Sequence, residues 1–211
     1  MPVSAKICGL STPETIDAAI KGGASHLGFV FFQPSPRNVP LDRASQLASR
    51  VPAHVARVGV FVDPDDELLD AAILGGGLTI LQLHKTAPER AAAIKRRALE
   101  IWAAVAVKSR SDLDIAHRFV QAADRILYDA KTPDHAALPG GMGLRFDWAL
   151  LDGFRHPMRW ALSGGLDPDN VADAVKRTGA GLVDVSSGVE SEPGIKDLGK
   201  IAAFLQTVSR L

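Results

Sequence analysis

A closed barrel of eight parallel strands, a (β/α)8 TIM barrel near the minimum size, is the fold this sequence predicts, on three observations. Short apolar runs rich in Val, Ile, Leu and Phe alternate with segments of helical period, the signature of βαβ units. Eight such runs fall near residues 3–8, 27–32, 55–61, 79–83, 101–106, 125–128, 159–162 and 182–186, and their starts recur every 22 to 28 residues apart from one interval of 34. The turn after the first run reads Cys8-Gly9-Leu10-Ser11-Thr12-Pro13. It lacks the G-x-G-x-x-G fingerprint of open doubly wound sheets, which usually stop at five or six strands. A chain of 211 residues, 46% apolar and 23% charged, can bury a full core. No linker interrupts it, so we read residues 1–211 as one α/β domain.

Composition removes several function classes. The formal net charge is +0, and the only basic run, Lys95-Arg96-Arg97, falls on a predicted helix as a solvated face, so no nucleic-acid partner is expected. No stretch approaches the eighteen or so apolar residues of a membrane span, and the N-terminus has no apolar leader. With one cysteine and hence no internal disulfide, the expectation is a soluble protein of a reducing cytoplasm.

In order along the chain, helix starts are marked by a cap residue before proline: Thr12-Pro13, Asp63-Pro64 and Asp167-Pro168. The first helix, Pro13 to Lys21, puts Ile16, Ala19 and Ile20 on one stripe. Gly22-Gly23, Gly75-Gly76-Gly77 and Gly179 are read as helix-end punctuation rather than ligand contacts. The 34-residue interval holds an insertion, Ala130 to Arg145, containing Pro139-Gly140-Gly141-Met142-Gly143. A connection that long in a compact domain is usually functional or mobile.

Barrel enzymes keep their sites at the C-terminal strand ends, so the residues there are read as one mouth. Cys8 ends the first strand; a lone thiol is either a packed small hydrophobe or a catalytic group. Asp129 ends the sixth strand, as a general acid with a raised pKa or as a turn aspartate. An acid and a base on opposite sides of a mouth suit proton-transfer chemistry. The thiolate role requires a depressed Cys8 pKa; Lys6 is close in sequence, and it shares the face of Cys8 only if the strand is regular to its end. Arg37, after two prolines, could clamp a substrate carboxylate or make a surface salt bridge. His84 and Asp184 line the mouth as substrate-binding candidates. A single His at the strand ends gives no metal cluster, so no metal is expected. Gly164-Gly165 and Ser187-Gly188, after the seventh and eighth strands, offer backbone amides and a hydroxyl for a phosphate, with a positive helix end behind them; the alternative is that they only make tight turns.

Taken together, Lys6-Ile7-Cys8-Gly9-Leu10, Gly28-Phe29-Val30-Phe31, Ser35-Pro36-Arg37-Asn38-Val39, Gln82-Leu83-His84, Phe146-Asp147-Trp148, Ser163-Gly164-Gly165-Leu166 and Asp184-Val185-Ser186-Ser187-Gly188-Val189-Glu190 resemble the phosphoribosylanthranilate isomerases of tryptophan biosynthesis along the whole chain. The resemblance implies an Amadori rearrangement of N-(5-phosphoribosyl)anthranilate to 1-(2-carboxyphenylamino)-1-deoxyribulose 5-phosphate. It implies Asp129 protonating the ribose ring oxygen, Cys8 taking the proton from C2, Arg37 holding the anthranilate carboxylate and the two glycine loops holding the phosphate. The implied partner is a small molecule, and no cofactor is implied, because the substrate's own nitrogen serves as the electron sink; barrels of this size are found as monomers and dimers, so a monomer or homodimer is expected. Three positions depart from the family's usual residues: Lys85 stands for glycine, Tyr128 for a smaller apolar residue, and Met142 for threonine. Met142 bears on how its loop closes. Other readings are a different phosphosugar aldose-ketose isomerase, for which the family of the histidine pathway would want a carboxylate in place of Cys8, and a silent phosphate-binding barrel.

Overall fold

The computed structural model of the chain describes residues 2–133 and 140–211. Eight parallel strands close into a barrel in sequence order: β1 (Ser4–Cys8), β2 (His26–Val30), β3 (Ala56–Val62), β4 (Ile80–His84), β5 (Glu100–Val107), β6 (Arg125–Ala130), β7 (Trp160–Leu162) and β8 (Leu182–Val185). Closure is made by β1, which pairs with β2 through Cys8 opposite Gly28 and with β8 through Lys6 opposite Asp184. Every predicted strand is present, with ends within two residues of those expected.

Alternation along each strand sorts the core into two layers. One parity, with Ile7, Phe29, Leu81, Ile101, Ile126 and Val183, packs outward against the helices. The other, with Val58, Ile80, Trp102, Leu127 and Leu182, fills the barrel interior. Trp102 is fully buried, its indole N–H donating to Glu100 at 2.6 Å and the Arg125 guanidinium 5.2 Å from its ring. That ring closes the N-terminal end and leaves the C-terminal end for chemistry.

Helix α1 (Pro13–Lys21) starts as expected, with Thr12 Oγ1 accepting from the Thr15 amide at 3.4 Å. Two other cap readings shift. Helix α3 (Asp66–Gly76) is capped by Asp65, whose carboxylate takes the Leu68 amide at 2.8 Å, because Asp63 is spent on a turn at φ 42°. Helix α5 (Val171–Thr178) likewise begins after Asn170; Asp167 instead accepts from the amides of Asp169 and Asn170 in the turn before it. The other helices are α2 (Leu41–Ala48), α4 (Pro88–Lys95) and α6 (Leu198–Val208).

The connections after β5 and β6 depart from the expected α-helices. The first is a 3₁₀ segment, Arg110–Phe119, opened by Ser109 and Asp112 in a capping box; the second holds, among the described residues, a single 3₁₀ turn, Trp148–Leu151. Residues 134–139 of the insertion, Pro139 included, lie outside the described residues. The basic run sits at the end of α4, where Arg97 pairs with Asp66 and Asp70 and Lys95 with Asp124. Among the described residues no helix is long and apolar enough to cross a membrane.

Candidate active site

The inward parity that carries aliphatic side chains low in the barrel carries polar ones at its C-terminal end. Regular alternation brings Lys6 and Cys8 to the same side of β1, and it sets Gln82 and His84 on β4, Asp129 on β6 and Asp184 on β8 around one mouth. Lys6, with no exposed surface, donates to Asp184 Oδ1 at 2.8 Å, and the Ser163 hydroxyl donates to Asp184 Oδ2 at 3.3 Å. Asp129 Oδ1 accepts the Ala130 amide at 2.9 Å.

The mouth has two lobes. One, about 530 Å³, is lined by Cys8, Val30, Phe32, Val60, Arg37 and His84. The other, about 350 Å³, is lined by Gly164, Gly165, Ser187 and the segment Gly140–Gly143. Asp129, Ser163 and Asp184 border both. Cys8 and Asp129, on strands that do not pair, therefore face one cleft.

Arg37 is neither free nor at the surface. Its loop folds back on β2 through the Asn38 side chain, which accepts the Phe32 amide at 2.8 Å, and through the Val39 amide to the Val30 carbonyl at 2.8 Å. The guanidinium donates from Nε and Nη2 to the two oxygens of Glu190, both at 2.7 Å, and from Nη2 to the Gly141 carbonyl at 2.9 Å. Glu190 begins a short hairpin, β9 (Glu190–Glu192) with β10 (Ile195–Lys196), and Lys196 donates to it at 2.6 Å. Nη1 has no hydrogen-bond partner among the described residues, and Arg37 lines the cleft.

The phosphate-loop residues are placed unequally. Gly164 and Gly165 have φ of 87° and 65°, backbone that side chains resist, and Asn170 fixes their loop by donating to the Gly165 carbonyl at 2.9 Å. Ser187 opens a single 3₁₀ turn, Ser187–Val189, and no full helix end stands there. Among the described residues the amides of Gly164, Gly165, Ser187 and Gly188 find no acceptor. Gly188 does not line the lobe; it lies against the Leu166 carbonyl, where a Cβ would collide with backbone.

The model of the N-(5'phosphoribosyl)anthranilate (PRA) isomerase family matches residues 5–207. The chain belongs to that family. An N-(5'-phosphoribosyl)anthranilate isomerase of Zymomonas mobilis subsp. pomaceae is 56% identical over 100% of both chains. One from Paramagnetospirillum magneticum is 50% identical over 98% of this chain and 97% of that one. The solved phosphoribosyl anthranilate isomerase of Thermotoga maritima superposes with a TM-score of 0.89 at 35% identity, covering 99% of this chain and 100% of that one. Another solved isomerase of the family was captured with reduced 1-(o-carboxyphenylamino)-1-deoxyribulose 5-phosphate; it has a TM-score of 0.86 at 32% identity and the same coverage. The chain is thus an enzyme, a phosphoribosylanthranilate isomerase by family.

Within this isomerase mouth the electrostatics are unequal. Burial, with the Asp184 charge adding to it, pushes the Asp129 carboxyl up to about 7. Burial also pushes the Cys8 thiol above its ordinary value; Lys6 pulls it back and Asp184 opposes Lys6. The depressed thiol that a thiolate base was expected to need is therefore not found: burial outweighs the pull of Lys6. Burial, helped by the charges of Lys6 and Lys85, holds His84 down at about 4, so its ring is neutral at pH 7. Gln82 Nε2 lies 2.9 Å from His84 Nε2, and Gln82 Oε1 is buried without a partner among the described residues.

Two contributors escaped the sequence reading. Glu190, in the quoted motif, gave no sign that it would reach Arg37, 153 residues away. Gln82 was legible as an inward polar residue on a strand but was passed over for His84. The departures fall into place as well. Lys85 sits at φ 52°, where the family's glycine has no strain, and Tyr128 points away from the mouth into a cluster with Phe154, His156 and Trp160. Met142 is half exposed and borders the second lobe.

Proposed function

We propose how this mouth carries out the isomerisation of N-(5'-phosphoribosyl)anthranilate that the chain performs in tryptophan biosynthesis: Asp129 gives a proton and Cys8 takes one. The Asp129 carboxyl protonates the ribose ring oxygen, the C1–O bond breaks, and the nitrogen lone pair forms the Schiff base. The Cys8 thiolate then removes the C2 proton; the C–H electron pair becomes the C1=C2 bond and the C1=N π pair returns to nitrogen, which gives an enolamine. Ketonisation at C2 yields 1-(2-carboxyphenylamino)-1-deoxyribulose 5-phosphate. The substrate's own nitrogen is the electron sink, so the reading calls for no cofactor.

The observation that carries this reading is that Cys8 and Asp129 face one cleft, with the carboxyl held at about 7, close to the pH at which a general acid works best. The more apolar lobe, with Arg37 in its lining and Arg37 Nη1 unpaired among the described residues, suits the anthranilate ring and its carboxylate. The unpartnered amides of Gly164, Gly165 and Ser187 suit the phosphate, with Gly188 contributing through the close packing of its loop on Leu166. His84 and Asp184, on the walls between, meet the ring-opened sugar. On this reading the protein works in the cytoplasm, as a monomer or homodimer, on a dissolved small molecule.

The test follows the loss of anthranilate-type fluorescence on adding freshly made substrate to the wild type, Cys8→Ala and Asp129→Asn. A fall of about a hundredfold or more in each variant is expected, the scale of removing a general acid or base. Turnover that survives Cys8→Ala would return the thiol to a packing role. Phosphate-ester binding without wild-type turnover would favour a silent barrel.

A further inference from the structure

We infer that Lys6 is the positioning cation of the Cys8 base: its ammonium occupies, with the thiol, a space that Gly28 leaves empty, and it holds the thiolate there. On β1 the two residues are one strand period apart and share the inward face. Opposite Cys8 on β2 stands Gly28, and a Cβ at that position would lie 2.9 Å from Cys8 Sγ and 3.1 Å from Lys6 Nζ. Sulfur and nitrogen therefore border the same small void, and neither tolerates a side chain in it.

An ammonium with no exposed surface is costly unless anions face it. Asp184, at 2.8 Å, supplies one; the Cys8 thiolate supplies the second when the base is in its working form. The other charged and titratable groups around the thiol do not replace Lys6. Asp129 on β6 and Asp184 on β8 are acids, and His84 on β4 is neutral at pH 7. Arg37 and Lys196 on β10 are paired with Glu190; Lys196 also draws the thiol down, but less than Lys6 does. The phosphate and carboxylate of a bound substrate add further negative charge to the same mouth, so the cation beside the sulfur is the group that keeps proton loss within reach. The direction of its effect on the thiol, downward against burial, agrees.

The inference rests on Cys8 being the base, and the experiment reads the two separately. Cys8 is the only cysteine in the chain, so its alkylation by iodoacetamide, followed by mass spectrometry without substrate, reports the thiolate alone. Lys6→Met is expected to slow alkylation at pH 8 about tenfold, one pH unit in the midpoint of the rate profile. Asp184→Asn, which removes the opposing anion and keeps Lys6, is expected to speed it. The loss of kcat in Lys6→Met should shrink as pH is raised, a dependence that a merely structural lysine would not produce. A folded Lys6→Met protein with an unmoved Cys8 midpoint would overturn the inference, leaving Lys6 as an anchor for Asp184. If that variant does not fold, Asp184→Asn decides: an unchanged or raised midpoint overturns it. Turnover surviving in Cys8→Ala would overturn the base itself, and with it any use of the cation, whatever the midpoints show.

Discussion

Arg37 and Glu190 meet fork to fork inside the protein, Nε to Oε1 and Nη2 to Oε2, both at 2.7 Å. The pair joins the loop after β2 to the hairpin after β8, and it fixes the guanidinium of an arginine that lines the cleft. Burial pushes the Glu190 carboxyl up, but the bonds from Arg37 and the charge of Lys196 outweigh it and hold it below the usual carboxylate range. Glu190→Gln leaves two buried cations facing a neutral amide, and removing one partner of a buried ion pair costs about 3 kcal/mol or more. The expected result is lower stability in urea and a raised KM, with kcat less affected because the loss falls on binding. An unchanged KM in a folded Glu190→Gln protein would show that the clamp does not depend on the fork.

The pH dependence of kcat/KM follows from the two reacting groups. The working form needs a proton on Asp129 and none on Cys8, yet Asp129 is held at about 7 and Cys8 above its ordinary value. Between those two pKa values most molecules carry the single proton on sulfur, and the working form is a tautomer with the same proton count. Its fraction is then constant across that window and falls on either side. We expect kcat/KM to rise with pH up to about 7, then level off into the alkaline range, as a property of the coupled pair. A profile already flat from pH 5 to pH 8 would contradict the raised carboxyl.

Asp129 also makes a stability prediction of opposite sense to its value in catalysis. Its folded pKa lies above that of an unfolded aspartate, about 3.9, so between the two the native state holds a proton that the unfolded chain releases. Stability from this group is full below pH 4, is lost as pH rises toward 7, and stays lost above it. Asp129→Asn cannot ionise and keeps an oxygen for the Ala130 amide. It should match the wild type near pH 4 and exceed it by about 2–4 kcal/mol at pH 8. Urea unfolding of both proteins at the two pH values measures this, and a difference that does not grow with pH would refute it.

What the sequence made legible is what a period of two carries. Lys6 with Cys8 and Gln82 with His84 could be placed on one face of regular strands, and the barrel order then gathered those strands at one mouth. The cap reading at Asp63-Pro64 slipped because the segment holds a second good cap, Asp65, and local pattern does not rank the two; at Asp167-Pro168 the Asp167 carboxylate does accept the next two free amides, but regular helix begins only after Asn170, whose side chain makes no cap bond. Glu190 was illegible as a partner because nothing local marks a contact across 153 residues; only barrel closure between β1 and β8 brings the last hairpin back to the loop after β2. That hairpin, of three and two residues, is too short for any periodicity. Lys85 is the converse case. The departure from the family's glycine was visible, but its meaning was not: only the structure shows that the lysine occupies backbone at φ 52°.

Two glycines that look alike in sequence should behave differently when changed to alanine. Gly179 ends α5 at φ 70° with open space where a Cβ would go, so Gly179→Ala meets only the strain of left-handed backbone, about 1 kcal/mol. Gly188 has nothing unusual in φ, but a Cβ would strike the Leu166 carbonyl and crowd Asp167 Cα at 3.0 Å, and that carbonyl belongs to the loop carrying Gly164 and Gly165. Relief requires the loops after β7 and β8 to part, which moves the amides of both away from a common centre. Gly188→Ala should therefore raise KM at least tenfold and weaken inhibition by inorganic phosphate in proportion, whereas Gly179→Ala should lower Tm by a few degrees with kinetics unchanged. Steady-state kinetics with phosphate as inhibitor, together with thermal melts of both variants, separates the two. If Gly188→Ala binds phosphate as the wild type does, the second lobe is not where the phosphate sits.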